Sequence, residues 1–152
     1  MRIAIAADEL TGVAEAIPQE LSRRGHELMP HGVYGPDDER PDWAWGSEAA
    51  ARDVAARRAD QAVIACWTGT GASIAANKVV GVRAALCGDA QTADGARQWN
   101  DANVLVLSLR LTSHAALSEI LDAWFDACPS DDPVDVANVD HLTEIEHREP
   151  AT

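Results

Sequence analysis

Residues 61–78, Gln-Ala-Val-Ile-Ala-Cys-Trp-Thr-Gly-Thr-Gly-Ala-Ser-Ile-Ala-Ala-Asn-Lys, constrain this chain more than any other stretch. A short apolar run reads as a buried strand ending at Cys66. Gly69 and Gly71 follow, then Ser73 to Lys78 has helical composition. The glycines permit a tight turn and close approach of a ligand to the backbone. The free N–H groups of the turn and the positive end of the helix dipole converge on one point. Such a nest suits a phosphate, a carboxylate or the oxyanion of an enolate. Cys66 lies at its mouth, where a thiolate is favoured. The pattern serves equally as a plain strand-to-helix turn around a buried small residue, since Gly-x-Gly turns are common.

The rest of the chain repeats the alternation. Arg2 to Ala7 reads as a strand, followed by a helix over 11–24 with Val13, Ile17 and Leu21 on one stripe. Pro18 kinks that helix or marks the start of its regular part. His26 to Met29 is a weaker strand, and Gly35 to Asp42 a surface loop. A helix over 47–58 leads to the strand at 61–66. Arg83 to Cys87 is a further strand, and Asp89 can cap a helix from Ala90 to Trp99. Val104 to Leu109 is the fifth strand. Ser113 can cap a helix carrying Ala116, Leu117, Ile120, Leu121 and Trp124 on one face. A short helix is expected near 136–147. These elements predict an α/β fold, a Rossmann-like doubly wound five-stranded parallel sheet with helices on both faces. Ligands of such sheets bind beyond the strand C-termini, where Asp8, Cys66, Gly88 and Arg110 fall.

A chain of 152 residues holds a sizeable core, and its formal net charge of −13 excludes whole classes of partner. Nothing would neutralise nucleic-acid phosphates or an anionic membrane surface. From Asp126 onward eight acids stand against one base, Arg148, which reads as a solvated face or tail. The expected organisation is a main domain over 1–128 and an acidic C-terminal extension over 129–152. Cys66, Cys87 and Cys128 have neither disulfide-framework nor zinc spacing, and the apolar start is too short for a signal peptide. A cytoplasmic location with reduced thiols is expected.

The ordered set Ala-Ala-Asp8, Cys66-Trp-Thr-Gly-Thr-Gly71, Ile74-Ala-Ala-Asn-Lys78, Arg83-Ala, Asn100-Asp-Ala-Asn103-Val-Leu and Arg110 resembles a known family. It looks like type B ribose-5-phosphate isomerases and the related galactose-6-phosphate isomerase subunits, across residues 1–128. The resemblance implies a Rossmann-like homodimer with active sites at the subunit interface. It also implies aldose–ketose isomerisation of a sugar or sugar phosphate through a cis-enediolate, without metal, nucleotide or other cofactor.

Carried over by position, Cys66 matches the base that moves the proton between the two carbons. A free thiol has a pKa of about 8.5, so such a base depends on its surroundings. Asp8 matches the acid of an Asp-His pair that handles substrate hydroxyls. Thr68 is placed to orient or relay a proton. The amides around Gly69, Thr70 and Gly71 would hold the enediolate oxygen. Asn100 matches a substrate-contacting asparagine and Arg110 an anion-binding arginine. Ala72 stands where another branch of the family carries a catalytic glutamate, which fits Cys66 as the base.

The departures are equally specific. Glu9 stands where the family has the histidine of the pair, and Trp99 where it has the histidine credited with ring opening. The family's C-terminal arginines clamp the phosphate from the partner subunit, yet 126–147 contains no Lys or Arg. The enediolate machinery is thus retained while the phosphate clamp is reduced, which predicts an isomerase of altered substrate. The alternative is a catalytically silent relative that binds a small metabolite or a partner protein. Trp43, Trp45, Trp67 and Trp99 all map near the expected cleft, as core, interface or sugar-stacking residues, with Trp67 and Trp99 the better ligand-facing candidates. Asp42 aligns with the acid of a family loop motif. The five histidines have no metal-ligand spacing and read as surface or structural, and Cys87 as buried.

Overall fold

The computed structural model describes residues 1–36, 40 and 42–148, over which five strands and six helices alternate. In chain order these are β1 (Arg2–Ala7), α1 (Ala16–Arg23), β2 (Glu27–Gly32), α2 (Trp43–Ala55), β3 (Gln61–Cys66) and α3 (Thr70–Ala76). Then come β4 (Ala84–Leu86), α4 (Ala90–Asn100), β5 (Val104–Ser108), α5 (His114–Asp126) and α6 (Pro133–Glu146). Every ladder is parallel and the strand order is β2-β1-β3-β5-β4. The expected doubly wound parallel sheet is therefore present.

Alternation along the strands builds two apolar layers. Ile3, Ile5, Val63, Ala65, Leu105 and Leu107 face α1, α4 and α5, where Ile17, Leu21, Leu117, Leu121 and Trp124 are fully buried. Ala4, Ala6, Ala62, Ile64, Cys66 and Val106 face α2 and α3. That second layer is rich in alanine, so α2 and α3 lie close on the sheet; a Cβ at Gly46 would sit 3.3 Å from the Gly32 α-carbon. The stripe expected on α5 is part of the first layer.

Several boundaries differ from expectation for local reasons. α1 begins at Ala16, because residues 11–15 are spent on turns in which Ala14 and Ala16 donate to Thr11 and Val13. Pro18 therefore sits in the first turn, where no intrahelical bond is lost. β2 extends to Gly32 through Pro30, tolerated because β2 is an edge strand. α2 starts at Trp43 rather than near Ser47, since the Asp42 carboxylate caps the amides of Ala44 and Trp45 at 3.1 Å each. α3 starts at Thr70, directly after Gly69 at φ 78°. Of the loop expected over 35–42, residues 37–39 and 41 lie outside the described residues.

Beyond residue 128, α6 begins at Pro133 in the first helical position under an Asp132 cap. None of its residues is buried. It rests on α4, and both Glu146 carboxylate oxygens accept the Gly81 amide at 3.1 Å. Among the described residues no helix is long and apolar enough to cross a membrane.

Candidate active site

β1 and β3 are adjacent, and the chain leaves them in opposite directions across the sheet, which opens a crevice at their C-terminal ends. Asp8 follows β1 and Cys66 ends β3; both line one cleft with Trp67, Thr68, Thr70 and Gly71. Trp43, the first residue of α2, forms another wall. Five of the residues expected from sequence to act on a substrate thus converge with Gly71 around a single opening.

The turn that carries them is held on both sides. The Cys66 carbonyl accepts the amides of Gly69 at 3.2 Å and Leu109 at 3.0 Å. The Trp67 carbonyl accepts the Arg110 amide at 3.0 Å and the Ser108 hydroxyl at 3.1 Å. Gly69 needs its left-handed φ of 78°, and a side chain there would crowd the Leu107 carbonyl oxygen at 3.1 Å. The hydroxyls of Thr68 and Thr70 share a hydrogen bond of 2.7 Å. Thr70, Gly71 and Ala72 open α3, so their amides have no intrahelical acceptor. Ala72 is fully buried and brings no carboxylate to the cleft.

Cys66 is 4% exposed, with its side chain on the α2/α3 side of the sheet. Asp8 has one carboxylate oxygen shut away from solvent and without a hydrogen-bond partner. Burial pushes its pKa above the ordinary carboxylate value, and the neighbouring Glu9 charge adds to this against the lowering effect of backbone amides. The carboxyl group thus holds a proton more readily than a free aspartate, which suits it to passing one between substrate oxygens. Cys87, by contrast, is buried behind β4 with its thiol pushed up to about 12, which leaves it inert.

Trp99 and Asn100 lie elsewhere. α4 starts past the C-terminal end of β4 and runs back to Asn100, just before β5 begins. Its last residues therefore sit at the opposite edge of the sheet from Cys66. There Asn100 lines a cavity with Arg83, Asn77 and the α6 residues Leu142, Ile145 and Glu146. Trp99 lies against Gly95 and faces grooves beside Leu86 and under α6. Of the four tryptophans expected near the cleft, Trp43 and Trp67 line it within one chain, Trp99 lies away from it in the same chain, and Trp45 carries the Arg40 guanidinium 4.8 Å above its ring. Trp43 owes its place in the cleft to the Asp42 cap that starts α2 and to the missing side chain at Gly71. Arg110 is anchored at the rim through its backbone, with its side chain exposed.

The sequence profile of the Ribose/Galactose Isomerase family matches residues 3–141. The chain is 37% identical over 128 residues to the galactose-6-phosphate isomerase subunit LacB of Clostridium acetobutylicum, covering 84% of this chain and 73% of that one. It is 35% identical over 127 residues to ribose-5-phosphate isomerase B of Escherichia coli, covering 83% and 84%. The fold superposes on ribose-5-phosphate isomerase B of Clostridium thermocellum with a TM-score of 0.85 at 33% identity, covering 96% of this chain and 97% of that one.

Proposed function

We propose, for a chain that belongs to the ribose/galactose isomerase family of sugar-phosphate isomerases, an aldose–ketose isomerase that uses Cys66 as its base on a substrate other than ribose 5-phosphate. The observation that carries this is the convergence of Cys66, Asp8, Thr68 and Gly71 on one cleft. The Cys66 thiolate takes the proton from the carbon beside the aldehyde. The carbonyl oxygen becomes the enediolate oxygen, next to the free amides at the start of α3, where one donor contributes about 3 kcal/mol. The Asp8 carboxylate takes the proton of the neighbouring hydroxyl and delivers it to that oxygen. The thiol then returns its proton to the terminal carbon, giving the ketose. Thr68, paired with Thr70, orients the hydroxyls.

Asn100 and Trp99 enter this site only from a second copy, since each lies at the far edge of its own sheet. The working unit is therefore a homodimer with two composite sites. Among the described residues, those lining the Cys66 cleft include an acid and no Lys, Arg or His. Around Asn100 the nearby guanidiniums are already engaged: Arg83 and Arg97 both bond Asp101, at 2.8 and 3.2 Å. α6 carries no Lys or Arg, and Glu9 adds negative charge beside Asp8. Arg110 remains at the rim. This distribution favours an unphosphorylated or open-chain sugar over a phosphate dianion.

By their names, LacB and the ribose-5-phosphate isomerases B act on different sugar phosphates, which supports a change of sugar on this fold. Incubation with short aldoses in heavy water tests the reading by NMR: deuterium should enter at the first two carbons with the wild type and not with Cys66→Ala. No exchange with any aldose or ketose would leave the second reading, a silent metabolite-binding relative, which the loss of both family histidines favours.

A further inference from the structure

Trp43 stands in the cleft in a position that its partner across the cleft enforces. A Cβ placed on Gly71 would come within 2.8 Å of the Trp43 ring, so the indole rests directly on the Gly71 backbone. Asp42 fixes the start of the helix from which Trp43 projects. Despite that contact, Trp43 is 46% exposed, and Trp67 on the same cleft is 52% exposed. Two half-bare indoles thus flank the buried thiol, in a cleft where, among the described residues, the one charged lining group is the carboxylate of Asp8.

We propose that Trp43, held on Gly71 and facing the same cleft as Trp67, is a specificity-determining platform for the C–H face of an uncharged, short-chain sugar. The inference rests on the isomerase reading above and names its substrate class. An indole face carries negative quadrupole density, which attracts polarised C–H groups and repels an anion. Asp8 repels an anion as well. Together they select a neutral polyhydroxy chain where a cationic lining would select a phosphate ester.

The test is equilibrium binding, so it does not depend on turnover. The probes are erythronohydroxamic acid, an uncharged mimic of the enediolate, and its 4-phosphate, titrated by calorimetry. The wild type should bind the neutral probe at least as tightly as the phosphorylated one. Trp43→Ala and Trp43→Leu should each weaken the neutral probe by about tenfold or more, while Trp43→Phe keeps most of the affinity. Gly71→Ala, which displaces the ring, should mimic Trp43→Ala.

Unchanged affinity in Trp43→Leu overturns the proposal, because a ring face would then be irrelevant. A phosphorylated probe bound tenfold more tightly than the neutral one overturns it too. So does a Trp43→Phe variant that sediments as a monomer where the wild type is a dimer, since Trp43 would then be an interface residue. If the probes bind as expected and no sugar is turned over, the isomerase reading fails while the platform stands.

Discussion

The guanidinium of Arg83 donates to the Asp101 carboxylate and to the Asp101 carbonyl oxygen, both at 2.8 Å. This pairing removes one arginine that lies near Asn100 from phosphate duty, and Arg97 is drawn to the same carboxylate at 3.2 Å. Charge-assisted contacts are worth about 1.5–3 kcal/mol each, so losing two or three costs at least about a hundredfold in affinity. Ribose 5-phosphate should therefore be a poor substrate in steady-state assays beside an unphosphorylated aldose. Efficient turnover of ribose 5-phosphate, with a Michaelis constant ordinary for the family, would refute the altered-substrate reading.

Cys66→Ala should retain the fold, because a buried Ala meets the same alanine-rich layer, and should lose nearly all isomerase activity. Cys66→Ser should fall by about a hundredfold or more, since a hydroxyl is too weak an acid to supply the base at neutral pH. Circular dichroism and the heavy-water exchange assay check the two halves separately. Near-wild-type exchange in the alanine variant would move the base elsewhere, with Glu9 the first candidate.

Much of the fold was legible because periodicity was unambiguous. The runs at Arg2–Ala7, Gln61–Cys66 and Val104–Ser108 each became central strands of the sheet. Boundaries set by one side chain were less legible. Asp42 pulls the start of α2 forward to Trp43, and that shift swings an indole into the cleft. The separation of Asn100 from Cys66 is a property of chain direction: α4 must run back along the sheet before β5 can begin. Motif order along the sequence carries no record of that distance. The unpartnered carboxylate oxygen of Asp8 depends on tertiary burial and has no sequence signature.

Asp8 should trade stability for chemistry. Burial raises its folded pKa above the unfolded value of 3.8, so the native state holds the proton more tightly than the unfolded chain does. The group then favours folding below the unfolded pKa, and this contribution disappears as pH rises through the folded value. Asp8→Asn cannot titrate and removes the charge from a carboxylate one of whose oxygens is buried without a partner. At neutral pH it should be more stable than wild type by about 1 kcal/mol, with the difference shrinking or reversing in acid, while isomerase activity falls. Urea melts at several pH values measure this. An Asn variant less stable than wild type at neutral pH would show that the carboxylate has a stabilising partner in solution.

The proposed composite site of a homodimer makes a prediction that a single-chain site does not. Cys66→Ala and Asn100→Ala each spoil both sites of their own homodimer, one by losing the base and the other by losing the contact from across the interface. In a mixed dimer, one site collects both defects and the other collects neither. Equal mixing with free subunit exchange makes about half of the dimers mixed, each with one intact site, so activity should return to about a quarter of the wild-type level. The proposal rests on the separation within one chain, Cys66 at the C-terminal edge of the sheet and Asn100 at the opposite edge. Co-refolding the two variants and assaying exchange or turnover reads it directly. No recovery, with mixed dimers present by mass spectrometry, would show that both residues serve the same chain's site or that Asn100 serves none. Sedimentation that finds only monomer at micromolar concentration would remove the composite site altogether.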